Sequence, residues 1–426
     1  SWPAPTHAAA ALAPVNSSGA RPAVAADAGD QPYVPYTPVR KGALQPSTWT
    51  PSQEAHLAAL LARYTARTGT SKALAQRYRP VLADNRASAG FRLSIKEMLY
   101  PIVSEHSQGA RIWDIDGNEY VDLTMGFGVN LFGHRPAFIN AALERQLASG
   151  YPLGPQTHLA GEVAALICEL TGMERVSFAN SGTEAVLTAI RIARTATRRS
   201  KIAIFAGSYH GFYDATLATT ERRGDELFSS PMAPGIPQGM VQDVVVLKYD
   251  SAESLEELAR LMPQLAAVLV EPVQSRHVEV QPRAFLQRLR ELTAAAGTLL
   301  IFDEMITGFR IHAGGAQAHF GVRADLATYG KILGGGMPIG AVAGKAELLA
   351  TLDGGMWQYG DASFPGAETT FIAGTFCKHP LSLAAAKAVL LELQRRGPSL
   401  HQELNQRTAA FVAELNAWFE DAGVPV

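Results

Sequence analysis

The chain has 426 residues, with 37 Lys and Arg against 39 Asp and Glu, a formal charge of −2, and 47% hydrophobic residues. That balance supplies no overall field to attract nucleic acid or an anionic membrane, and no apolar run reaches the roughly 18 residues a spanning helix needs. The two cysteines, Cys168 and Cys377, stand far apart without CxxC spacing, which excludes a disulfide scaffold and a cysteine-based zinc site, and no metal site is expected; a reducing, cytoplasmic setting fits.

Residues 1–50 hold 12 Ala and 8 Pro, too few large apolar groups to order a backbone, so 1–49 reads as a linker. A helix is predicted from Thr50-Pro51-Ser52-Gln53: Thr50 can cap it, Pro51 suits the first helical position and Gln53 can close a capping box. Leu57, Leu60, Leu61 and Tyr64 then fall on one face. Ile112 to Leu123 reads as a hairpin turning at Asp116-Gly117. Strand candidates follow at 175–178, 201–205, 244–248, 266–270 and 298–302, separated by helical stretches such as 183–194 and 282–295. Apolar strands with helical crossovers imply an α/β fold around a mostly parallel sheet.

In such sheets ligands gather at the carboxyl ends of the strands. Phe178 to Ala185 is a strand, a small-residue turn and a helix start. Its free N–H groups and the hydroxyls of Ser181 and Thr183 would hold a phosphate; a plain capped helix explains the same residues. Tyr209-His210-Gly211 offers an aromatic ring on which a flat heterocycle could stack, or an ordinary half-buried tyrosine. Leu299 to Met305 is an apolar strand ending in Asp303-Glu304, able to hold Mg²⁺ or a protonated ring nitrogen. Further along, Lys331 lies among Gly330, Ile332, Leu333 and Gly334-Gly335-Gly336, where desolvation would make its amine a nucleophile. Phosphate turn, aromatic, strand-end Asp and downstream Lys together fit pyridoxal 5′-phosphate. Lys331 would form the Schiff base, and Asp303 would keep the pyridine nitrogen protonated so that the ring is an electron sink. A nucleotide-binding module is the rival from another class, but no GxxxxGK[ST] is present.

Ser181 to Ala185, Tyr209-His210-Gly211, Asp303 to Arg310 and Gly330 to Gly336 resemble the class III, fold type I aminotransferases, with the glutamate-1-semialdehyde aminomutase branch nearby. A closer resemblance, to the aminotransferase domains of hybrid polyketide/nonribosomal peptide megasynthases, is carried by 82–86, 125–134, Glu271 to His277, Gly354 to Asp361 and Ala373 to Pro380. The resemblance implies a large cofactor-binding domain with a mostly parallel seven-stranded sheet at 129–370. A smaller α+β domain would come from both chain ends, 50–128 and 371–426, with the C-terminal part incomplete, and the linker at 1–49 would be an interdomain one. It implies that Ser181, Gly182 and Thr183 bind the phosphate, Tyr209 stacks on the ring, His210, Glu271 and Asp303 serve the cofactor, and Met305 packs beneath it. Thr375 would reach the phosphate of the partner subunit in a homodimer with shared sites. Arg276 stands where many relatives have Glu, and Ile306 where they have Gln; Arg276, Gln274 and Trp357 are the substrate candidates. The implied reaction takes an amino group from an amino acid, glutamate or glutamine, to the 3-keto group of a β-ketoacyl chain on an acyl carrier protein. A glutamate-1-semialdehyde-type aminomutase or a free small-molecule ω-aminotransferase is the alternative.

Overall fold

The structure, a computed structural model, describes residues 49–87, 90–224 and 226–424; most of the predicted linker lies outside them. Its first helix, Pro51–Arg67, starts as the sequence predicts. Thr50 Oγ1 accepts from Gln53 N at 3.3 Å and Gln53 Oε1 accepts from Thr50 N at 2.9 Å, a closed capping box. Leu57, Leu60, Leu61 and Tyr64 end half-buried, with Tyr64 tilted on Tyr100 at 5.6 Å.

Twelve strands follow: β1 Ser104–Gln108, β2 Arg111–Asp114, β3 Glu119–Val121, β4 Arg175–Ala179, β5 Lys201–Phe205, β6 Ala218–Arg223, β7 Glu226–Pro231, β8 Val244–Leu247, β9 Leu265–Val270, β10 Leu299–Asp303, β11 Leu326–Tyr329 and β12 Gly340–Gly344. The first three form an antiparallel sheet, and β6–β7 a separate hairpin. The other seven make one sheet in the order β4-β12-β11-β10-β9-β5-β8, in which only β12 runs against the rest. Strands buried on both faces alternate between two cores. In β10, Leu300 and Phe302 face the helices Leu159–Thr171 and Arg283–Ala296, while Ile301 faces Gly182–Thr197. Truncating Phe302 to Ala would cost about 3–5 kcal/mol.

The turn Asp116-Gly117 does more than reverse the chain. Asp116 Oδ1 accepts from Thr70 N at 2.6 Å, and Oδ2 accepts from Ser71 N at 3.0 Å and Ser71 Oγ at 2.9 Å. It therefore supplies from outside the cap that the helix Gly69–Tyr78 lacks at its own N-terminus. Burial raises the Asp116 pKa, but the hydrogen bonds from Thr70 and Ser71 outweigh it and hold the group down at about 2. A depressed carboxylate stabilises above its unfolded pKa, near 4, and loses that contribution as pH falls through about 2. Asp116→Ala should accordingly speed tryptic cleavage at Arg63 and Arg67 at neutral pH; unchanged cleavage would mean that the clamp holds nothing.

Candidate active site

Since β4, β5, β9, β10 and β11 all point the same way, their carboxyl ends lie along one edge of the sheet. The Ser181 turn, the 206–211 loop, Glu271, Asp303 and Lys331 leave from those five ends. β12 begins at the same edge, and Gly340 pairs with Ala179; a methyl group on Gly340 would stand 2.2 Å from the Ser181 carbonyl oxygen. The Ser181 turn is thus packed directly on the connection that carries Lys331.

Asp303 is 2% exposed and takes three hydrogen bonds: from His210 Nδ1 to Oδ2 at 2.7 Å, and from Thr328 Oγ1 and Met305 N to Oδ1 at 3.1 and 3.2 Å. His210, 3% exposed, has no hydrogen-bond partner for its buried Nε2. The imidazole therefore touches the strand-end carboxylate, a pairing across 93 residues that no spacing in the sequence announces. Glu271 accepts from Tyr209 N at 2.9 Å. Burial pushes its carboxyl up to about 7, opposed by His210 and reinforced by Asp303. A carboxyl raised above its unfolded value stabilises at low pH and loses that contribution as pH rises through about 7. The melting temperature of cofactor-free protein should fall between pH 5 and 8, and less steeply in Glu271→Gln; parallel curves would refute the assignment.

Met305 lies against two glycines: a methyl group on Gly182 or Gly330 would come within 2.8 or 2.7 Å of its sulfur. Lys331 follows at φ 44°, a left-handed conformation rare for a side chain of its kind, and is half-buried. Its amine makes no hydrogen bond or ion pair among the described residues. Ser181 caps the helix Gly182–Thr197, its hydroxyl accepting from Glu184 N at 3.3 Å. Thr183 Oγ1 accepts from Phe212 N at 3.4 Å. The capped-helix explanation is therefore correct for Ser181, and among the described residues the amides of Gly182 and Thr183 keep no other acceptor at the same place. Tyr209 is 46% exposed beside this group.

The remaining candidates lie apart. Gln274 is buried, its amide donating to Ala206 O at 2.8 Å and Ser208 Oγ at 2.9 Å, so it braces the 206–208 turn. Arg276 is exposed on the loop leaving β9. Trp357 packs edge-on against Tyr359 at 4.8 Å in an exposed segment. Thr375 lines a cavity of 490 Å³ with Pro152, Gln156, Cys377 and Lys378, on a loop that packs against Asn180. Glu304, which the Mg²⁺ alternative requires beside Asp303, is held elsewhere: Thr307 Oγ1, Ala316 N and Gln317 N donate to it at 2.8, 2.7 and 3.2 Å. The two carboxylates do not share a site.

A left-handed lysine with no ion-pair partner, a buried Asp–His pair with one ring nitrogen unsatisfied and a glycine-lined helix start make the donor set a pyridoxal phosphate needs. Lys331 would hold its aldehyde carbon, Asp303 its ring nitrogen and the Ser181–Thr183 turn its phosphate. The fold and site define a pyridoxal-phosphate-dependent transferase.

The family model for class-III aminotransferases matches residues 94–424, and the chain belongs to that family. Glutamate-1-semialdehyde 2,1-aminomutase of Nitratidesulfovibrio vulgaris is 39% identical over 332 residues, 76% of this chain and 74% of the relative. An omega-transaminase from Sphaerobacter thermophilus superposes with a TM-score of 0.73 at 34% identity, covering 83% of this chain and 79% of that one. A β-phenylalanine aminotransferase from Variovorax paradoxus gives 0.70 at 30%, covering 87% and 79%. A transaminase with pyridoxal phosphate bound gives 0.72 at 31%, covering 84% and 80%. The chain is a pyridoxal-phosphate-dependent transaminase. Among the described residues no helix is long and apolar enough to cross a membrane.

Proposed function

We propose that the chain moves an amino group from an amino acid donor, glutamate or glutamine, to an oxo group placed beyond the α-carbon of a small acid or semialdehyde. What carries this reading is the gathering of Lys331, Asp303–His210 and the Ser181 turn at one sheet edge, with Arg276 on the adjoining loop. The relatives' names, a 2,1-aminomutase, an omega-transaminase and a β-phenylalanine aminotransferase, support chemistry away from the α-position. When bound, the cofactor supplies the electron sink. Lys331 would hold it, and its amine would move the proton of the donor carbon. Asp303 anchors the ring nitrogen and His210 orients Asp303. Glu271 fixes the Tyr209 backbone.

A second reading keeps the same chemistry on a 3-oxoacyl chain tethered to a carrier protein. It is favoured by the five stretches that resemble megasynthase aminotransferase domains and by the likeness to an enzyme named for a β-amino acid. Mass spectrometry separates the two: free semialdehyde or oxo acid against a 3-oxoacyl carrier, each incubated with enzyme and donor. Amination of neither class would sink both readings.

The same proposal gives Arg276 the donor carboxylate, which a guanidinium can grip bidentately. Arg276→Ala should raise donor KM about 10- to 100-fold, the loss of one charge-assisted contact. An unchanged KM and first half-reaction would remove it from the site. The working unit in this proposal is a homodimer. Met356, Tyr359, Phe364 and Phe371 are all more than 70% exposed in the segment before Thr375, an apolar surface that a second copy would cover, bringing Thr375 to the partner's phosphate. Light scattering at micromolar concentration tests it, a monomer being the refuting result.

A further inference from the structure

The near-neutral total charge hides an uneven distribution. Residues 60–96 contain eight Lys and Arg and a single acid, Asp84, a net +7 within a chain whose total is −2. Most of these cations are exposed. Lys72 is used, in an ion pair with Glu97 at 2.6 Å. Arg63, Arg79, Arg92 and Lys96 have no ion-pair partner among the described residues and face solvent. Between them Val81 and Leu82 are 80% and 64% exposed. Exposed apolar residues in a segment rich in exposed cations suit a protein-docking surface with an acidic complement.

This layer is tied, through the 116–128 segment, to the strap that leaves Asp303. Asp116 pins its second helix, and Arg67 Nε donates to Asn118 Oδ1 at 3.3 Å. The Arg86 guanidinium lies over the Phe127 ring at 5.6 Å. Phe127 belongs to a run of four left-handed residues, Met125 to Gly128. Asp122 Oδ1 ties the start of that run, accepting from Thr124 N and Met125 N at 2.9 Å. Arg310, on the strap that leaves Asp303, donates to the Gly128 carbonyl at its end. Basic layer, strained turn and Asp303 strap are therefore mechanically continuous.

We propose that the basic layer of residues 60–96 docks an acidic protein domain, a carrier that presents the oxo-acyl acceptor as a thioester. The proposal rests on the carrier reading above and names its docking surface. Two consecutive helices followed by exposed apolar residues suit a folded acidic partner better than a tracked phosphate backbone or a lipid surface.

The test compares a 3-oxobutanoyl thioester on an acidic carrier protein with the same acyl group on N-acetylcysteamine, using the full chain loaded with cofactor. The variant is Arg63→Glu/Arg79→Glu/Arg92→Glu/Lys96→Glu, with the four Gln substitutions as a milder companion. The wild type should favour the carrier substrate, and that preference should fall with added salt. The Glu variant should lose kcat/KM for the carrier substrate on the order of tenfold or more, the Gln variant less, with the small thioester unaffected. A carrier reaction indifferent to the substitutions would overturn the docking surface and leave the carrier reading standing. No amination of any carrier-bound chain, alongside turnover of a free semialdehyde, would overturn both. Charge-dependent binding to phosphatidylserine vesicles or single-stranded RNA, with no change in the carrier reaction, would assign the layer to those ligands instead.

Discussion

Lys331→Ala should abolish amino transfer, with turnover falling at least about 10³-fold, because in the proposed function one substitution removes both the group that would hold the cofactor and the amine that would carry the proton from the donor carbon. The structure gives the lysine no other employment. It follows the buried strand β11 at φ 44°, half-buried, with no ion pair among the described residues. Borohydride treatment of the wild type should leave the cofactor on the Lys331 peptide alone, and a small primary amine should restore part of the variant's activity. Label on another lysine, or a variant near wild-type turnover, would reject the assignment. The variant should still retain cofactor, since Asp303 and the Ser181–Thr183 turn do not depend on Lys331.

Asp303→Asn is expected to lower the rate of both half-reactions about 10²- to 10³-fold while much of the cofactor stays bound. The amide matches the carboxylate in shape but carries no charge to pair with a protonated ring nitrogen, and it must direct two N–H groups into a surround of donors. His210 Nδ1 lies 2.7 Å from one oxygen, with Thr328 Oγ1 and Met305 N at 3.1 and 3.2 Å from the other. Charge-assisted hydrogen bonds are roughly twice as strong as neutral ones, and leaving a buried donor unmatched adds to the loss. Stopped-flow rates at saturating donor make the measurement; rates equal to wild type would show that the ring nitrogen needs no anion here.

The parts of the fold legible in the sequence are those where local signals agree with burial. The Thr50 capping box, the Asp116-Gly117 hairpin and the five strands from β4 to β10 that belong to the main sheet fall where residue pattern puts them. β11 and β12 do not announce themselves. Leu-Ala-Thr-Tyr and Gly-Ala-Val-Ala-Gly are short and poor in β-branched residues, and they become strands because the fully buried middle of a sheet leaves their backbones no other partners. Lys331, Asp303 and the Ser181 turn could be picked out because each follows or opens a readable element. The contact of His210 with Asp303 could not, since it depends on the order β10-β9-β5, which no local pattern encodes. Gln274, buried against the 206–208 turn, likewise shows its bracing contacts only once β5 and β9 are known to be neighbours. The basic layer of residues 60–96 was countable from the outset but disappears in a whole-chain sum.

The antiparallel course of β12 divides the molecule into what can vary and what cannot. Because β12 returns from the Lys331 connection to lie on β4, the lysine and the phosphate turn are separated by one short crossing whose length the sheet register dictates. An insertion there would pull the two ends of the cofactor site apart. The outer part of the loop after β9, 276–282, and the exposed stretch before Thr375 form no part of any strand ladder, so their length and residues can change without moving Lys331, Asp303 or Ser181. Divergence among enzymes built this way is thus channelled: substrate preference can drift in the unladdered loops while the amino-transfer chemistry is inherited intact.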